Sequence, residues 1–130
     1  MLTKTITYTD YNGVEREEKH YFNLSKAEIV KMNMSVSGGL IEIINRVIEE
    51  QNVPELYNIF EDLIHKSYGI KSPDGKRFEK SEDIYLAFAQ TEAYSVLIEE
   101  LITDAKAAAK FFNAIVPQNS SKPALASAEN

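Results

Sequence analysis

Four basic side chains, Lys71, Lys76, Arg77 and Lys80, stand within the stretch GIKSPDGKRFEKSEDI, residues 69–84. Cations gathered at a turn can hold a phosphate or a carboxylate. Ser72-Pro73-Asp74-Gly75 suits a β-turn with proline second and glycine fourth. Ile70 and Phe78 flank it as the arms of a tiny hairpin, which sets Lys71 and Arg77 on its outer side. An active site would add a glycine-rich cradle or a histidine, and the stretch has neither. It therefore reads as a charged connector. Gly38-Gly39 before a helix could offer backbone N–H groups to an anion, but no Gly-Lys-Ser/Thr follows and there is no P-loop. His20 and His65 fall in unrelated elements, without an HExxH spacing or a partner ligand. Both are expected as ordinary surface or boundary residues. Glu61 and Asp62 read as carboxylates of a solvated helix face. The serines are explained by caps and turns, none in a GxSxG elbow. Catalytic residues, metal ligands and cofactors are accordingly expected to be none.

The elements that carry these residues follow from periodicity. LTKTITYT, residues 2–9, alternates Leu2, Lys4, Ile6 and Tyr8 with four threonines, a strand signal. Asn12-Gly13 predicts a type I′ hairpin turn and a return strand from Val14 to Asn23. Ser25 and Glu28 form a capping box for a helix reaching Met32, with Leu24, Ile29 and Met32 facing the core. Ser37 is the expected cap of a second helix over Gly38–Glu50, with Leu40, Ile44 and Val47 as its stripe. Asn52-Val53-Pro54 starts a third helix running to Tyr68, with Leu56, Ile59, Phe60, Leu63 and Ile64 buried and Gly69 as its stop. Ser81 caps a helix over Glu82–Gln90. Thr91 then caps one long helix over Glu92–Val116. On it Tyr94, Leu97, Leu101, Ala108, Phe111 and Ile115 form a stripe wide enough for part of it to meet a partner, although packing in its own core is the default. The fold class is mainly α with an N-terminal β-hairpin (α+β), a small helical domain of about five helices. Residues 1–116 form that single domain, with the hairpin in 2–23 and the helices in 25–116. Residues 117–130 are expected as a disordered polar tail.

One hundred and thirty residues, 44% of them hydrophobic and 26% charged, suit one modest core. No apolar run approaches the roughly 18 residues that span a bilayer. The N-terminus has no signal-peptide core. The absence of cysteine removes disulfides and thiolate chemistry and is compatible with a cytosolic product. A net charge of −6 argues against general nucleic-acid binding. Lys66 to Lys80 nevertheless carries a local +3, leaving −9 for the remainder, an island able to guide an acidic partner or a second copy.

The order of these pieces is specific enough to place. YFNLSKAE (residues 21–28), the Lys66–Ser81 loop KSYGIKSPDGKRFEKS and QTEAYSVL (residues 90–97) resemble the tail assembly chaperones of long-tailed bacteriophages and prophages of Gram-positive bacteria. The resemblance covers residues 3–117. It implies a non-enzymatic protein that binds the tape measure protein, keeps it soluble and assists tail-tube polymerisation. Further implied partners are the tail tube protein and an extended frameshift form, with self-association, and no nucleic acid or membrane. The protein would act in the host cytoplasm and be missing from the mature virion. Chemistry, apart from the resemblance, nominates Leu97, Leu101 and Tyr94 as apolar partner contacts, with Lys71, Lys76 and Arg77 at the rim. A structural tail or head–tail connector protein is the alternative. A DNA-binding regulator would need a basic recognition helix, whereas the helices here are acidic or balanced.

Overall fold

The structure, a computed structural model, describes residues 1–34 and 39–117. The alternating N-terminus forms strand β1 (Leu2–Thr9), paired antiparallel with β2 (Glu15–Phe22) in unbroken register from Leu2↔Phe22 to Thr9↔Glu15. Its threonines are exposed, while Ile6 is buried and Leu2 and Tyr8 pack against the core. The connecting turn differs from the expected type I′. Gly13 takes φ 81°, but Asn12 is not at positive φ. Asp10 organises the loop instead. Its carbonyl accepts from the Gly13 N–H at 2.9 Å, and its carboxylate accepts from the N–H groups of Asn12 and Val14, both at 2.9 Å. An aspartate that can bond two backbone donors removes the need for a second left-handed residue.

Helix α1 (Lys26–Met34) begins at the expected capping box: Ser25 N–H donates to Glu28 Oε1 at 2.8 Å and Glu28 N–H to Ser25 Oγ at 3.1 Å. Helix α2 (Leu40–Glu50) starts later than predicted. Its Leu40 N–H donates to Asn33 Oδ1 of the preceding helix at 2.9 Å. Ser37, its expected cap, and Gly38 lie outside the described residues. Asn52 caps α3 (Val53–Ser67), accepting from Glu55 N–H at 3.1 Å.

Gly69 does not end α3 as a left-handed stop. The chain passes directly into β3 (Tyr68–Lys71), which pairs with β2 through Tyr21↔Gly69 and Phe22↔Tyr68. Strand β4 (Phe78–Glu79) pairs with β3, so the two hairpins join into one four-stranded meander, β1-β2-β3-β4. Glycine is needed at 69 for space. A Cβ there would stand 2.6 Å from the Phe78 ring and 2.7 Å from the Glu79 carbonyl oxygen.

Ser81 caps α4 (Glu82–Ala89), accepting from Ile84 N–H at 3.1 Å. The long C-terminal helix is two helices, α5 (Glu92–Thr103) and α6 (Ala105–Ile115), separated at Asp104, whose backbone is extended. Asp104 Oδ1 accepts from Lys106 and Ala107 N–H at 3.0 and 3.2 Å, starting α6 afresh. Thr91 stands at the N-cap position of α5 as expected but makes no side-chain cap bond; its hydroxyl donates instead to the Phe88 carbonyl at 2.7 Å. The break lets α6 pack on α5, α2 and β1. The apolar face that looked too wide for one helix is thereby used up: Leu97, Leu101, Ala108, Phe111 and Ile115 all belong to one core cluster. Phe22 sits in its middle, edge-on to Tyr68, Phe88 and Phe111. The expected polar tail lies outside the described residues from 118 onward.

Candidate functional site

The six nominated contact residues do not converge. Leu97 is fully buried and Leu101 is 1% exposed, so these are core side chains and not a face on offer. Helix α5 packs on α3 and β1 and is also covered by α6, which the unbroken-helix expectation had placed elsewhere. Tyr94 is half-buried, its ring edge-on to Phe88. Burial, followed by the neighbouring Tyr85 hydroxyl, drives its phenol well above the ordinary tyrosine range. Lys71, Lys76 and Arg77 are exposed on the second hairpin, as expected.

That hairpin is held from within. Ser72, 2% exposed, donates its hydroxyl to Asp74 Oδ1 at 2.7 Å and accepts from Arg77 N–H at 3.0 Å. The Lys76 N–H donates to the same Asp74 oxygen, and these bonds hold the Asp74 carboxyl below its usual range. Gly75 takes φ 75° where its N–H donates to the Ser72 carbonyl at 2.9 Å, closing the expected turn.

The basic island divides. Arg77 pairs with Glu79 at 3.0 Å and Lys66 with Asp62 at 2.9 Å. Lys80 Nζ donates to both Glu28 oxygens, at 2.8 and 2.9 Å, and to the Lys66 carbonyl at 2.7 Å. Lys80 therefore ties the start of α1 to the open C-terminal carbonyls of α3. Partial burial opposes the Glu28 charge, but the Lys80 and Ser25 bonds outweigh it and keep the carboxyl below its usual range. Only Lys71 and Lys76 of the island are left without a carboxylate partner among the described residues.

Around this tie lies an open groove of about 660 Å³ between α1, the end of α3 and the start of α4. Leu24 and Met32 form its apolar part, with Glu28, Lys31, Lys66 and Glu82 among its charged walls. His65 stacks on Tyr85 at 4.0 Å and bonds Glu82 at 2.8 Å on the same wall. Sequence spacing could not bring these residues together, since Glu28 and Lys80 are 52 positions apart. The Ser25–Glu28 capping box and the Ser81 cap were the legible signs of this corner.

His20 is also misjudged by spacing alone. It is 9% exposed beneath the sheet, with Nδ1 3.2 Å from the Tyr68 hydroxyl and its ring 4.8 Å from that of Phe88. Burial lowers its pKa, against the attraction of Glu18. Among the described residues no group of three or more histidines and carboxylates could hold a metal ion. None of the described helices is long and apolar enough to cross a membrane. What the surface offers is shape, apolar area and paired charge, the materials of protein recognition.

Residues 1–129 match a protein-family model described as phage tail assembly chaperone. No curated protein and no solved structure matches the chain.

Proposed function

We propose a client-shielding role, on the premise that this chain belongs to the phage tail assembly chaperone family. The client is the tape measure protein, which the chaperone keeps soluble while tail-tube subunits polymerise around it. The match of residues 1–129 to the family model carries this reading. Its action is non-enzymatic, in the host cytoplasm, and it leaves before the particle matures. The tail tube protein and an extended frameshift form are further partners of the same assembly step.

Physical support comes from α1. Val30 and Met34 lie one turn apart and are 59% and 81% exposed on the helix whose Lys31 and Met32 help to line the groove. An amphipathic client helix laid there would cover apolar side chains and meet the Lys31 and Lys66 ammonium groups at its edge. Lys71, Lys76 and Arg77 set encounter rate and register at the rim. Co-expression with the tape measure protein tests this, followed by size exclusion. The expected result is a soluble complex, lost in a Val30→Asp/Met34→Asp variant that keeps the native circular dichroism. An insoluble tape measure, with this chain found in purified virions, would overturn the reading in favour of a structural tail protein.

A further inference from the structure

Among the described residues strand β1 is the long free edge of the sheet, and of the usual protections of an edge it keeps only one, an inward-facing lysine. It is eight residues long, contains no proline, and keeps register with β2 throughout without a bulge. Its one charged side chain, Lys4, lies on the helix side and pairs with Glu100 at 3.1 Å. Its solvent face carries only Thr3, Thr5, Thr7 and Thr9, which add no charge to keep another strand away.

The direction of its free backbone groups follows from the bonding pattern. Asp10 N–H donates to the Val14 carbonyl at 2.8 Å, just beyond the Thr9↔Glu15 pair. Bonds in an antiparallel ladder recur every second residue, so Lys4, Ile6 and Tyr8 bond inward to β2. The Asn23 N–H bond to the Ser67 carbonyl, on the far side of β2, obeys the same phase. The N–H and C=O groups of Thr3, Thr5, Thr7 and Thr9 therefore point outward, without a strand partner among the described residues. Beside them a recess of about 390 Å³ opens beneath α6, lined by Thr3, Thr5, Leu101, Ala107, Phe111 and Ala114 among others.

We infer that β1 is an interaction edge, and that its occupant is β1 of a second copy of this chain. Antiparallel pairing about a twofold axis through Ile6 sets Thr3 opposite the other copy's Thr9 and Thr5 opposite its Thr7. All four outward residues then fall at hydrogen-bonded positions. Neutral threonines meet on the solvent face, a favourable cross-strand pairing. On the helix side each Lys4 faces the other copy's Tyr8, whose hydroxyl is held by Glu18 of its own β2. Charge compatibility selects this occupant. A chain of net charge −6 repels its copy through most of its surface, but β1 contributes only the Lys4 cation, already paired with Glu100. The acidic residues of β2 lie one strand further in, so screening weakens their mutual repulsion.

Sedimentation of the full chain over a concentration series up to about 100 μM tests the edge. The expected result is a monomer–dimer equilibrium that Thr5→Pro abolishes, because proline removes an outward N–H without touching the β2 ladder. If that variant loses native circular dichroism, paired substitutions replace it. Thr5→Lys with Thr7→Lys should lose the dimer, and Thr5→Lys with Thr7→Glu should restore it, since positions 5 and 7 face each other across the axis. A monomer at every concentration overturns the inference. So does a dimer indifferent to both tests, which would place self-association elsewhere. A monomer that binds the tape measure protein only while Thr5 is intact also overturns it, and would assign the edge to a client strand. The Val30→Asp/Met34→Asp variant leaves β1 unaltered, so failure of the chaperone reading and failure of this one are distinguishable.

Discussion

Gly69 and His20 show how single residues here are constrained by neighbours remote in sequence. At Gly69 a methyl group would press on the Phe78 ring and the Glu79 backbone, and backbone cannot swing away. Gly69→Ala is expected to cost about 1–3 kcal/mol, read from urea denaturation, with the second hairpin affected first. His20 is buried and resists protonation. The unfolded side chain takes up its proton near its ordinary value of about 6.5, and the folded one only at lower pH. Its contribution is therefore complete above about pH 6.5 and is lost as pH falls through the folded value. The melting temperature should drop between neutral and mildly acidic pH, and His20→Gln should flatten that drop. An unchanged slope would exclude His20 as its source. The aromatic and carbonyl neighbours that decide both cases were invisible in local spacing, because they are brought in by β3, β4 and α4.

Helix starts were largely legible, and the reason is local chemistry. Ser25, Asn52 and Ser81 each bond a backbone N–H three residues on, and the sequence in between is all that such a cap requires. Asp104 is the exception. Its neighbours are good helix formers, so periodicity ran straight through it, yet its carboxylate caps a new helix. Asp104→Ala should lower stability by about 1 kcal/mol by chemical denaturation. Thr91→Ala, whose hydroxyl makes no cap bond, should lose less. Equal losses would mean that Asp104 does not set the break. The hairpin turn teaches the same lesson: Asn12-Gly13 announced a reversal correctly, while Asp10 determined its geometry.

At the scale of the whole molecule, one apolar cluster joins the inner face of the sheet to all six of the described helices. Leu97→Ala is expected to destabilise it by about 2–5 kcal/mol, seen as a lower denaturation midpoint. Charged substitutions at Leu97 and Leu101 would unfold the chain, so they cannot report on a partner surface. The exposed pair on α1 can. The sequence by itself determined the α+β class, the first hairpin, most helix starts and the phage tail assembly chaperone resemblance, because alternation, caps and motifs are short-range signals. Tertiary structure alone decided which apolar stripe is covered and which strand edge stays open. It also decided that three cations of the basic island are held by carboxylates. Those outcomes depend on where α6 and β3 return to the body of the fold, and contacts between distant segments leave no periodic trace in either one.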